Sequence, residues 1–155
     1  MAGIGSWWGL PPAAPGGREV ANVKRVTLTW QHGLAFSGGV EGKPPIVIDS
    51  DGETGPGPMD TLLLALAGCT GGDVVALLEK MRFPVRALSV EVTGERRAEH
   101  PKRYTSILLT YRINAPGVPE ERARHAIDLS LGKYCSVTHS LAPDIARRYE
   151  LVLEG

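Results

Sequence analysis

Pro58-Met59-Asp60-Thr61-Leu62-Leu63-Leu64-Ala65-Leu66-Ala67-Gly68-Cys69-Thr70-Gly71-Gly72-Asp73-Val74-Val75-Ala76-Leu77-Leu78-Glu79-Lys80-Met81 is the stretch that decides the fold. Asp60 or Thr61 near its start complements a helix N-terminus. Leu62, Leu63, Leu66, Cys69, Val74, Leu77, Leu78 and Met81 then occupy most of a helix circumference, which predicts a long, buried central helix over 60–81. Gly68, Gly71 and Gly72 flank Cys69, and each is worse than alanine in a helix by about 1 kcal/mol. Close approach of another helix, or of a substrate, to the Cys69 face would account for them.

On the N-terminal side, the alternation from Val26 to Trp30 predicts a half-buried strand. Ala35-Phe36-Ser37 and Ile46-Val47-Ile48 predict two more, and Gly55, Pro56, Gly57 and Pro58 make 52–58 a loop. Residues 1–20, broken by Pro11, Pro12, Pro15, Gly16 and Gly17, read as a flexible tail. Its Trp7-Trp8 pair is either a start-site remnant or a docking element. On the C-terminal side, Ala87–Glu95 and Arg103–Ile113 alternate as two long strands joined by a charged tip, Arg96–Lys102. Pro119-Glu120-Glu121 starts a helix with Ala123, Ala126, Ile127 and Leu129 facing inward. Lys133-Tyr134-Cys135-Ser136 interrupts it, 137–141 forms a short helix, and Arg147–Leu153 is a last strand. Helices and hairpins segregate along the chain, so the class is α+β with one domain over 21–155.

Composition excludes several functions. Lys plus Arg and Asp plus Glu are 17 each and aromatics are 6%, so no field or stacking surface favours nucleic acid. The N-terminus lacks the basic start and the apolar run of about 7–15 residues of a signal peptide. The longest apolar run, Leu62–Gly68, is too short for a bilayer, which predicts no membrane partner and a cytoplasmic location. Thiols stay reduced there, so a permanent structural disulfide is not expected.

Cys69 and Cys135, the only cysteines, stand 66 positions apart, which offers neither a CxxC turn nor a four-ligand zinc site. No metal or cofactor is expected. Cys135 precedes Ser136-Val137-Thr138, where amides at a helix start would lower a thiol pKa. Taken alone, both cysteines read equally as small buried hydrophobes. His139, four residues past Cys135, shares its helical face and could serve as a base. His32, His100 and His125 show no metal spacing, and GxGxxG, P-loop and GxSxG motifs are absent.

The segment Gly57–Val74 resembles the first signature of the OsmC/Ohr superfamily, and Lys133-Tyr134-Cys135-Ser136-Val137-Thr138-His139-Ser140-Leu141 resembles the second. The resemblance spans about residues 22–154. It implies an OsmC-like fold, with antiparallel sheets around the central helix, in an intertwined homodimer with active sites at the subunit interface. It further implies that Cys69 attacks a hydroperoxide and becomes a sulfenic acid, that Cys135 resolves it as a disulfide, and that a dithiol, often lipoyl-linked, reduces the pair. The peroxidase branches carry a glutamate before the first cysteine, paired with an early arginine. Met59 and Asp60 stand in that region here, Arg18 and Arg25 are the only early arginines, and Ser136 replaces the usual proline. These departures resemble the OsmC-like branch, and they give Asp60 and His139 the proton-handling roles. Two functions follow as expectations: thiol-dependent reduction of organic hydroperoxides, or non-enzymatic binding of a small ligand by a protein with unreactive thiols.

Overall fold

The computed structural model describes residues 22–155, so the predicted tail and Trp7-Trp8 lie outside the described residues. Two three-stranded sheets flank one long helix. The first sheet holds β1 (Thr27–His32), β2 (Ala35–Gly39) and β3 (Ile46–Asp49), all antiparallel. The helix α1 (Pro58–Lys80) follows. The second sheet holds β4 (Ala87–Arg96), β5 (Tyr104–Asn114) and β6 (Ala146–Leu153), with α2 (Glu120–Leu129), a π turn (Ser130–Tyr134) and α3 (Ser136–Ser140) between β5 and β6. This is the α+β arrangement expected. One pairing departs from an antiparallel reading: β6 runs parallel to β5, because the chain crosses over through α2 and α3 before returning.

The start of α1 is fixed locally. Gly57 is its N-cap, the Asp60 carboxylate accepts the Gly57 N–H at 3.0 Å, and the Thr61 hydroxyl donates to the Gly57 carbonyl at 2.9 Å. Proline at the first helical position loses no hydrogen bond there, so the helix begins at Pro58. By length and composition α1 could cross a membrane, which a reading confined to the run Leu62–Gly68 did not anticipate. Contrary to the expectation of burial all round, only one side of it is covered among the described residues, with 28% of its apolar stretch buried. Leu66, Thr70, Gly71, Val74 and Leu78 form its buried line, and Asp73 and Glu79 interrupt its apolar surface.

That line packs on one face of the second sheet. The register places Leu88, Val90 and Val92 of β4 beside Ile113, Tyr111 and Leu109 of β5, and Tyr149, Leu151 and Leu153 of β6 continue the row. Leu109, Tyr111 and Ile113 are fully buried, as are Ala123, Ala126 and Ile127 of α2. Gly71 explains part of the glycine cluster: a Cβ there would stand 3.4 Å from Val90 and 3.7 Å from Leu88, so the helix rides close on β4. Gly68 and Gly72 have nothing within 4 Å and lie on the exposed side of α1 with Leu64, Ala65 and Ala76.

Among the described residues the first sheet has no such cover. Pairing aligns Leu28, Trp30, Phe36, Ile46 and Ile48 on one face, yet Trp30 is 62% and Ile46 52% exposed. Only its inner edge is anchored. Asp49 is buried, and its carboxylate accepts the amides of Asp51 and Thr54, each at 3.0 Å, and the Thr54 hydroxyl at 2.8 Å. These donors hold the Asp49 carboxyl below its ordinary pKa, the Thr54 hydroxyl most of all. The loop into α1 is thereby tied to the end of β3.

Candidate functional site around two thiols

Cys69 lies at mid-helix on α1, half-buried, and Cys135 is the fully buried N-cap of α3. Both are free thiols. Their sulfurs and a carboxylate oxygen of Asp73 all lie within 4.8 Å of one another. Asp73 is one helical turn past Cys69, so the two share a face of α1. The chain reaches Cys135 through the π turn, whose wide ring bonds the Cys135 amide to the Ser130 carbonyl at 2.8 Å. Single π turns recur where a helix must re-aim a functional residue, and this one turns Cys135 against α1.

A buried row of hydroxyls ends at the same place. Tyr111 and Thr70 are 2.7 Å apart, Thr70 and Ser130 3.0 Å, and Ser130 and the Asp73 carboxylate 2.9 Å. All three hydroxyl residues are fully buried. The Ser130 hydroxyl points its donor side at both the Asp73 carboxylate and the Thr70 hydroxyl, and either member of the Thr70–Tyr111 pair can donate to the other. Burial pushes the Tyr111 phenol up to about 12, against the opposing effect of its bond to Thr70, so it stays protonated near neutral pH.

Helix-start activation of Cys135 is present but outweighed. The Thr138 N–H donates to its sulfur at 3.4 Å. The Thr138 hydroxyl is close enough to favour the thiolate, yet it is buried without a hydrogen bond of normal geometry. Burial is the larger influence and raises the Cys135 pKa, and the neighbouring Cys69 thiol adds to the rise. The expectation of a lowered Cys135 pKa is therefore corrected, because desolvation exceeds what one long N–H···S bond returns.

Asp60 and His139 are not brought to the thiols. Asp60 is an exposed helix cap nine residues before Cys69, roughly 13 Å along the helix axis. His139 is exposed on α3, outside the group of ligand atoms gathered at the sulfurs. The residues that do converge, Asp73, Thr70, Ser130 and Tyr111, were not singled out from sequence. The i, i+4 spacing of Cys69 and Asp73 was the one signal available for them.

Comparison with known proteins finds related sequences and the same fold. The OsmC-like protein family model matches residues 50–149, which includes both cysteines. Protein YhfA of Escherichia coli K12 is 37% identical over 128 residues, covering 81% of this chain and 96% of that protein. A crystal structure of a hypothetical protein from Aquifex aeolicus superposes with a TM-score of 0.77 at 30% identity, covering 86% of this chain and 97% of that one. The organic hydroperoxide resistance protein OhrB of Bacillus subtilis shares the fold, with a TM-score of 0.56 at 16% identity, over 84% of this chain and 98% of its own. With the matched span, the relative and the fold in agreement, the chain belongs to the OsmC-like protein family.

Proposed function

We propose that the chain reduces organic hydroperoxides through Cys69 and Cys135, as a cytoplasmic homodimer with a dithiol, lipoyl-linked or free, as reductant. The observation that carries the reading is the pair of free thiols from distant elements with sulfurs within 4.8 Å. Family membership adds weight toward a redox role. Cys69, the half-exposed thiol, attacks the peroxide as a thiolate: the O–O bond breaks, the leaving alkoxide takes a proton from solvent and departs as an alcohol, and Cys69 becomes a sulfenic acid. The buried Cys135 thiol then attacks that sulfur, forming the disulfide and releasing water. A dithiol takes the oxidation over and restores both thiols.

Two features support a second copy as partner. The row Leu28, Trp30, Phe36 and Ile46 is an uncovered apolar sheet face, and the exposed side of α1 is lined by Ala65, Gly68, Gly72 and Ala76, which let another helix approach closely.

Replacing Cys69 by serine is expected to abolish peroxide consumption in a coupled dithiol assay. Replacing Cys135 by serine should leave one turnover and a sulfenic acid that a dimedone probe traps. Unchanged steady-state turnover in the Cys69 variant would refute the assignment. A second reading, a non-enzymatic ligand binder, is favoured by the raised pKa of Cys135 and by an apolar groove of about 590 Å³ between β3 and α1, lined by Ile46, Val47, Pro56 and Leu64. Alkylation against pH separates the two. A Cys69 thiol that reacts with a midpoint near or below 7 supports the enzyme, and one near the free value of about 8.5 supports the binder.

A further inference from the structure

We propose that Cys69, Asp73 and Cys135 together bind a thiophilic divalent cation of the zinc class when both thiols are reduced. Three observations carry this. The first is the donor set: two sulfurs and a carboxylate oxygen, all within 4.8 Å of one another, on a half-buried to fully buried site. Zinc bonds of about 2.3 Å to sulfur and about 2.0–2.2 Å to oxygen place tetrahedral ligand atoms roughly 3.5–3.8 Å apart, so closure needs a shift of about 1 Å or less. Thiolates select zinc and its soft neighbours over magnesium or calcium.

The second is the support behind the carboxylate. Ser130 donates to Oδ2 of Asp73 and is itself backed by Thr70 and Tyr111. Orientation of a ligating carboxylate by a hydrogen bond from behind is the usual companion of a metal ligand. The third is charge. Among the described residues neither ion pair involves Asp73, so a half-buried carboxylate faces two thiols with no basic side chain within 4 Å. A doubly charged cation would supply the positive partner that no described side chain provides. The half-exposed Cys69 side leaves the fourth coordination position to water.

Metal and disulfide exclude one another here, a consequence that rests on the peroxidase reading. Oxidation by a hydroperoxide takes two electrons from the two thiolates as the S–S bond forms. The O–O bond breaks, two protons from solvent complete an alcohol and a water, and the cation loses two of its three ligands. Bound cation would therefore hold the reduced pair out of the catalytic cycle, and oxidation would release it.

The test uses the full chain, reduced with a phosphine and dialysed against buffered zinc. One zinc per chain is expected, as is a thiolate-to-metal charge-transfer band when cobalt(II) replaces zinc. Cys69→Ser and Asp73→Asn should each bind at least ten-fold more weakly. Wild-type chain oxidised with diamide should carry no metal, a measurement that needs no substitution and no refolding. Absence of stoichiometric zinc in the reduced chain, or full retention after oxidation, would overturn the proposal. Peroxide turnover is not part of the readout. Separate assay of the metal-free chain keeps the two readings apart: no peroxide turnover there with zinc binding intact would count against the peroxidase reading alone, and turnover there without zinc binding against this site alone.

Discussion

The two sheets are built from similar strands and meet opposite fates. The second sheet turns Leu109, Tyr111 and Ile113 onto α1 and α2 and buries them completely. The first leaves Leu28, Trp30, Phe36 and Ile46 partly exposed, with no covering element among the described residues. Strand alternation is equally clear in both, so alternation reports that a face wants burial, not that the same chain supplies it. One sheet is a folding core, and the other is an unfinished one. Soluble monomers rarely leave a contiguous apolar face of this kind uncovered.

The sharpest way to break the contrast is to truncate one side chain in each sheet. Leu109→Ala removes a fully buried leucine beneath α1 and should lower the unfolding free energy by about 2–5 kcal/mol in urea titrations. Ile46→Ala, measured at high dilution, should cost no more than about 1 kcal/mol, since the side chain is 52% exposed among the described residues. Equal losses at both positions would mean that the first sheet is covered after all.

Alkaline titration sharpens the same contrast through Tyr111, which has no counterpart in the first sheet. Its pKa moves from an ordinary 10.0 to about 12 because the phenol is buried. Between those values the unfolded chain gives up the phenolic proton while the folded chain retains it. Stability contributed by the neutral phenol is complete below pH 10 and falls as pH rises toward 12, by about 3 kcal/mol for two units. Cys135, also raised by burial, adds loss of the same sign. Tyr111→Phe is expected to flatten the fall in thermal melts between pH 9.5 and 11.5, values that bracket the lower part of the window. A variant with the full wild-type slope would show that the phenol is not the group responsible.

Local rules made most of the fold legible. Leu88, Val90 and Val92 announced β4, the 104–113 alternation announced β5, and Pro58 with Asp60 marked the start of α1. What stayed hidden depends on partners far along the chain. Tyr149, Leu151 and Leu153 show that β6 is a strand, but nothing in them names β5 as neighbour or sets the parallel direction. At the site, both cysteines and the helix start after Cys135 could be read, whereas the balance at Cys135 could not. Burial depth is a property of the packed core, and it reversed the pKa direction that the helix start alone suggested. Asp73 was passed over because an acid among leucines carries no marker of function until Ser130, 57 positions away, is seen to hold it.

A small effect on the chain itself should come from the most exposed large hydrophobic residue of the unfinished sheet. Trp30→Asp places a charge on the face shared with Leu28, Phe36 and Ile46, where the indole is 62% exposed and makes one hydrogen bond, to the Gly33 carbonyl at 3.0 Å. Losing a bond of that kind at the surface should move the stability of a separated chain by no more than about 1 kcal/mol. If a second copy covers this face, the same substitution buries an unpaired carboxylate in the interface, and assembly should fail. Sedimentation velocity is then expected to show a dimer for wild type and a monomer for the variant, with circular dichroism unchanged. The dimer's melting temperature should rise with protein concentration and the variant's should not. A variant that remains dimeric would place the subunit contact elsewhere, leaving α1, with Gly68 and Gly72 open on its outer side, as the surface to alter next.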